Sequence, residues 1–561
     1  MKPRSGLWLV VVALALALTA CGGAGGQAAD EPASAGMSQA AAAPAPERVA
    51  VLRILAGDFS VPTPFLHRRA VGMIRMYLMF DTLIWKDSTG EFIPWLATSW
   101  DSSPDGLTWT FKVREGVRWQ DGEPLTADDV VFTYRYMAQP GLKYAPDVKA
   151  IEKVEQVDDH TVVMTLAWPT PPFLRNVIGV VPIIPRHIWE GVADPKGFTE
   201  EAAFIGSGAY RLIEYDKAQG TFLFEANDDF WLGAPYVKRI EMVEVGDQAV
   251  ALKQGAVHGV DLGSKGTRAT DDVLALFLKD SRFAEMTAPG DWSLALYFNM
   301  ERDPFADKSF RQAVAYAFDL QMMVDQLLLG DGLPGSPGQL PPSNTWMDPD
   351  APAHVYDPAR AKALLDEGGY LDRDGDGVRE TLGGVPLEFE LTFSEDYPRE
   401  AEMIRGWLEA MGIGLKLRVL DRTTLDQVTT EGQYELALIG AGGGGADPDS
   451  LRESLASDSE YESFSSVFGY KNERFDELAA QQSVTLDEAA RREMVYEMQL
   501  ILAEDVPTIP LYYPNRRFVF DETVLDAWYF TPGGFASGCP NSYNKHIFIV
   551  GEKTGLKIRG Q

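Results

Sequence analysis

The stretch from Val385 to Leu420 constrains the fold most. Val385, Leu387, Phe389 and Leu391 alternate with polar neighbours as a strand does. Arg399 to Met411 has helical character and Gly412 closes it, after which Ile413 to Leu420 alternates again. Two strands separated by one helix form a crossover unit, which requires a sheet with helices packed on it. The fold class expected is therefore α/β. Tyr434 to Ile439 adds a strand that runs into the loop Gly440 to Gly445. Open α/β sheets bind ligands outside the carboxyl ends of their strands, so this loop is placed for recognition.

The rest of the body follows the same grammar. Val49 to Leu55 reads as an opening strand, Thr108 to Val113 as another, and Asp121-Gly122 as a turn. Thr126 caps a helix with Val130, Val131, Tyr134 and Met137 on one face. Tyr210 to Tyr215 and Thr221 to Glu225 pair as a hairpin. Ser309 caps one long helix from Phe310 to Leu327, Asp357-Pro358 opens another, and Asp487 to Glu504 forms the last. The strand-like Thr508 to Tyr513 follows it. More than 500 residues of this kind exceed a single hydrophobic core and form two or three subdomains.

The amino terminus is different. Lys2 and Arg4 precede an uncharged apolar run from Leu7 to Leu18, which ends at Leu18-Thr19-Ala20-Cys21. This is the pattern of a signal peptide with a lipoprotein cleavage box, and the run is shorter than the about 20 residues a membrane helix needs. Residues 1–20 are read as the signal, Cys21 as the lipidated residue, and residues 21–47 as a flexible tether of Gly, Ala, Ser, Gln and Pro. The expected location is the outer face of the cytoplasmic membrane or the periplasm, with the lipid as the only membrane contact. A formal charge of −32, from 82 acidic and 50 basic residues, makes nucleic acid and anionic lipid surfaces poor partners. With Cys21 lipidated, Cys539 has no partner, so no disulfide or cysteine metal site forms. The six histidines form no HExxH or HxH pair, and no GxSxG or SxxK nucleophile motif occurs.

A series of motifs carries a resemblance. Phe92-Ile93-Pro94-Trp95-Leu96-Ala97-Thr98-Ser99-Trp100 is followed by Asp105-Gly106-Leu107-Thr108, by Val113 to Trp119, and by Asp121 to Val130. Gly206-Ser207-Gly208-Ala209-Tyr210, Tyr297-Phe298-Asn299, Pro304-Phe305 with Arg311-Gln312-Ala313, and Lys362 to Leu365 follow in order. In these the chain resembles the large solute-binding proteins of ABC transporters that include the oligopeptide- and dipeptide-binding proteins, from about Val49 to Gly533. The resemblance implies a two-lobed periplasmic-binding-protein fold with a hinge, an additional subdomain in the first lobe and a ligand enclosed between lobes. It implies no enzyme activity and no catalytic residue, and a monomer that hands its solute to an ABC permease complex. Lobe I is expected at 48–79, 203–292 and 506–548, its additional subdomain at 80–202, and lobe II at 293–505.

Expected ligand contacts are Gly57, Asp58 and Phe59 after the first strand, Trp292, Tyr297 and Asn299, and Gly443, Gly444 and Asp447 in the glycine-rich loop. Trp292 and Tyr297 are equally readable as core, and Asp447 as a turn residue before a helix. Peptide-binding proteins that this chain resembles hold the ligand's amino group with an Asp of this loop, and near Gly444 that acid is missing, as is the usual aromatic near Ala441. Asp447 or Asp58 are its possible substitutes, and the glycines equally suit an oligosaccharide. Asp372, Asp374 and Asp376, with Glu380 at the ninth position, have the spacing of a calcium loop, but Gly383 stands where a bidentate Glu belongs. The plain alternative is a polar acidic turn, and no other cofactor is expected. Two rival classes are kept: a secreted glycoside or peptide hydrolase with paired carboxylates, and a ligand-sensing lipoprotein that docks on a receptor.

Overall fold

The computed structural model describes residues 48–56, 60–67, 69–262, 271–290, 292–442, 447–459, 469–534 and 544–551. The signal peptide, Cys21 and the tether lie outside these, as do Cys539 and the expected contacts Gly57, Asp58, Phe59, Gly443 and Gly444. The architecture is α/β in two lobes, each with its own core.

In the first lobe, the strands Leu52–Leu55, Arg239–Val243, Thr221–Ala226 and Tyr210–Asp216 form one sheet in that order. A second sheet pairs Gly259–Asp261, Arg516–Asp521 and Phe283–Ala288. The region from Asp81 to Phe204 adds an antiparallel sheet, ordered Ala97–Ser102, Thr108–Val113, Thr161–Leu166, Ile151–Asp158, and shares one continuous core with the first sheet. Thr126 caps the helix Ala127–Met137 in a full capping box with Asp129.

One buried ion pair ties this lobe together. Asp81 accepts from Lys545 Nζ at 2.6 Å, Trp95 Nε1 at 2.7 Å, Ser207 Oγ at 3.0 Å and Trp231 Nε1 at 3.3 Å. The ammonium also lies 4.3 Å from the ring of Trp85 and 5.0 Å from that of Trp95. The sequence motifs thereby acquire a physical meaning. Trp95 and Ser207 are there to complete a carboxylate, and a Cβ at Gly206 would overlap the Met79 carbonyl that the neighbouring Gly208 N–H bonds at 2.7 Å.

The second lobe is built on a six-stranded sheet, ordered Gly332–Pro334, Thr508–Pro514, Trp292–Phe298, Leu436–Gly442, Glu388–Ser394, Gly414–Leu420. The expected crossover is present: Glu388–Ser394 and Gly414–Leu420 are parallel and joined through the helix Pro398–Ala410. Two expectations change. The long helix is two, Lys308–Ala317 and Leu320–Leu327, capped by Asp307 and Asp319, and Ser309 donates its N–H to Asp307 instead of capping. The strand Leu436–Gly442 also takes in the first glycines of the expected loop, because Gly440 and Gly442 pair with Leu294 and Trp292.

The lobes are joined where Phe283–Ala288 gives way to Trp292–Phe298, and again at Asn515. Thr508–Pro514 thus belongs to the second lobe's sheet, and that crossing falls later than the expected boundary at 506. Arg517 bonds Glu285 at 2.7 Å and lies 3.8 Å from Asp331, while Asn515 bonds Asp331 at 2.9 Å. The two contacts to Asp331 tie the start of a first-lobe strand to the second-lobe turn after Leu320–Leu327.

Candidate functional site

The lobes face each other at the additional subdomain. On the first lobe the face is made by the short helix Ala145–Val148 and the π-helical turn Phe173–Ile178, which pack together. On the second it is made by Asp447, the helix Asp449–Leu455 and Arg491. Contact extends to the turn at Gly106, which meets Leu486.

The second-lobe side is a bonded network. Arg491 holds Asp447 with both forks, Nη2 to Oδ1 at 2.7 Å and Nη1 to Oδ2 at 3.0 Å, and bonds Gln482 Oε1 through Nε at 3.0 Å. Gln482 donates to Asp449 at 2.7 Å, and Arg452 grips the same carboxylate at 2.6 and 2.8 Å. Asp447 further accepts the Asp449 N–H at 2.9 Å. The expected ligand residue Asp447 is therefore already neutralised, and as a substitute partner for a ligand's ammonium it is occupied.

Two ionisable side chains at this face make no side-chain hydrogen bond among the described residues. Arg175, half-buried on the turn Phe173–Ile178, holds its guanidinium over the ring of Phe92, 5.7 Å from the ring centre. Burial pushes its guanidinium below its ordinary range; Asp447 and Glu91 counteract that, and Arg491 adds to it. Glu453, on the helix Asp449–Leu455, is pushed up to about 8 by burial, then by Asp449 and by Asp147 of the opposite lobe, with Arg452 opposing and Asp447 adding to the rise. Nearby Lys86 is pushed down to about 7 by burial and by the charge of Arg175, with Glu91 opposing, and its ammonium is held by the Gly534 carbonyl at 2.8 Å.

The remaining expected residues divide. Trp292 is half-buried at the end of its strand, where it and Tyr397 flank Gly440, at the carboxyl end of a central strand. Tyr297 lies in a small core with Ala295, Val428, Tyr434, Ala437 and Ile439, because Trp292–Phe298 is covered on both faces. Asn299 is buried and donates to the Gly432 and Tyr434 carbonyls at 2.9 Å each. Neither Tyr297 nor Asn299 joins the facing surfaces, which corrects the reading of this segment as a cleft loop.

Asp372, Asp374 and Asp376 bring one oxygen each within 4.8 Å of the others, all exposed. Glu380 is not among them, since its carboxylate accepts the Arg373 N–H at 2.9 Å. Calcium takes roughly six to eight oxygens, and three carboxylates with no bidentate Glu fit it poorly.

Sequence reasoning missed Arg175, Glu453 and Arg491. Only Arg175 left a signal, as the one charge in the apolar run Phe173 to Val181.

Comparisons with known proteins agree with the fold. Residues 91–463 match the family model described as bacterial extracellular solute-binding proteins, family 5 middle. The oligopeptide-binding protein AppA of Bacillus subtilis is 28% identical over 451 residues, 76% of this chain and 79% of the relative. Its structure with a nonapeptide superposes with a TM-score of 0.75 at 24% identity, covering 85% of this chain and 95% of that one. A mannohexaose-bound periplasmic oligopeptide-binding protein from Thermotoga maritima gives a TM-score of 0.73 at 24% identity, covering 86% and 93%.

Proposed function

This chain belongs to the family 5 bacterial extracellular solute-binding proteins, and from that premise we propose that it captures a peptide or another polar oligomer between its lobes and delivers it to an ABC permease. The observation that carries the reading is the apposition of Phe173–Ile178 with Asp447 and Arg491 across a boundary that the described residues cross between Ala288 and Trp292 and at Asn515. A body so connected can hinge, and a solute touching both faces favours the closed arrangement by its differential affinity. The committed state of Asp447 argues for a binding mode in which another group receives a ligand's ammonium. Native mass spectrometry of protein purified without denaturation tests the reading. Retained short peptides or oligosaccharides support it, and measurable turnover of such a compound favours the hydrolase instead.

Lipid anchoring belongs to the same proposal. The run ending at Ala20-Cys21 supports acylation of Cys21, which holds the body near the permease. Among the described residues no helix is long and apolar enough to cross a membrane. Cys21→Ser is expected to shift the protein from the membrane fraction to the soluble one, and unchanged retention on fractionation contradicts the anchor.

A further inference from the structure

We propose that the second lobe carries a binding site of its own, outside the cleft, for a small uncharged molecule with an apolar body about two fused rings in size. This site is independent of the solute-binding reading, which stands whether or not it is filled.

The site is a cavity of about 280 Å³ between the helix Leu320–Leu327, the end of the helix Glu488–Asp505, the start of the strand Thr508–Pro514 and residues 353–356. Phe318, Leu320, Pro337, Leu502, Val506 and Ile509 give it apolar walls. A cavity of roughly 150 Å³ already holds benzene, so this one accommodates a bicyclic molecule and is too small for an oligomer. Strand register places it away from the cleft. Thr508 pairs with Tyr297 and Tyr297 with Ala437, whereas Trp292 pairs with Gly442 at the opposite end of the same strands.

Local structure shapes the walls. Helical packing breaks at Phe318, where Asp319 caps a new helix. Gly335 donates its N–H to the Leu511 carbonyl at 3.1 Å, and a Cβ there would overlap the Pro510 carbonyl. Val506 closes the long helix at φ 49°, a left-handed conformation that costs a β-branched residue free energy.

Two polar groups in the wall are unengaged. Buried Ser336 makes no side-chain hydrogen bond among the described residues, and neither does half-buried His354, whose ring meets that of Tyr316 edge-on at 4.9 Å. Burial lowers the proton affinity of His354, so near pH 7 its imidazole is neutral and can both donate and accept. Apolar walls with a few placed polar groups are the composition of a small-molecule site. Asp319 is the charged residue of the lining, which disfavours an anion. The cavity opens at the exposed residues Gln321, Ala353, Val355 and Tyr356.

The test is calorimetric titration of the full chain with indole, 2-naphthol and 2-naphthoate. The wild type is expected to bind at least one of the two uncharged probes with a dissociation constant below about 1 mM, and 2-naphthoate about tenfold more weakly than 2-naphthol. Ala353→Trp, at an exposed position, should melt as the wild type does and weaken that binding at least about tenfold by blocking the mouth. Ser336→Ala and His354→Ala should each weaken it about 3- to 10-fold. Binding of neither uncharged probe, affinity unchanged in Ala353→Trp, or 2-naphthoate bound as tightly as 2-naphthol overturns the proposal.

Discussion

The interior of the first lobe and the boundary between the lobes treat ionised groups in opposite ways. At Asp81 a carboxylate with no solvent exposure has four donors, contributed by residues as distant in sequence as Trp95 and Lys545. At the boundary, Asp447 and Arg491 satisfy each other in the same manner, yet Arg175 and Glu453 have no side-chain hydrogen bond among the described residues. Polar groups that stay inside one lobe are completed by that lobe. At the hinged boundary the described residues complete some groups and leave others without a partner. The contrast separates scaffold from site more sharply than burial does, since both regions are largely withdrawn from water.

The largest effect expected is at the completed centre. Asp81→Ala leaves the Lys545 ammonium and two indole N–H groups buried without their acceptor, and breaking such a pair from one side costs roughly 3–5 kcal/mol. Urea unfolding followed by tryptophan fluorescence measures this, and Asp81→Leu combined with Lys545→Met should recover part of the loss because no lone charge remains. A cost of Asp81→Ala below about 1 kcal/mol, the range of exposed pairs, would erase the distinction between the two regions.

How much of this was legible in the sequence follows the same division. The crossover at Glu388–Leu420, the capped helix at Thr126 and the hairpin at Tyr210–Ala226 are local patterns, and alternation or capping chemistry exposes them. Trp95, Ser207 and Gly208 were visible as motifs, but their common purpose was not, since the acid they serve and the lysine that completes it are more than 400 residues apart. Tyr297 and Asn299 were misplaced because a strand covered on both faces carries no alternation to distinguish core from cleft. The break at Phe318 went unseen because the apolar spacing continues through it, while Asp319 starts a new helix by capping Met322. The boundary was the least legible region. Arg175, Glu453 and Arg491 lie on different elements of two lobes, and no local pattern in the sequence relates them.

The smallest effect expected is one of pH, and it probes Glu453. The groups acting on it are Asp449 and Asp447 on its own lobe, Asp147 from the opposite lobe and Arg452 beside it. With a value pushed up from 4.5 to about 8, this half-buried carboxyl keeps a proton that a fully exposed one has released. A raised carboxyl value means the compact state binds more protons between those limits. Its contribution to closure is therefore present at low pH, declines as pH rises, and is gone above about pH 8. Opening the lobes removes Asp147 and part of the burial, so closure rather than folding alone should carry this dependence. Glu453→Gln fixes the neutral form, and the difference between wild type and variant cancels the titration of Lys86 and every other group. Small-angle scattering across pH 5 to 9 should show the wild type expanding relative to Glu453→Gln as pH rises toward 8. Superimposable curves would mean that Glu453 is solvated at the boundary, and the contrast with the completed carboxylate of Asp81 would then rest on exposure alone.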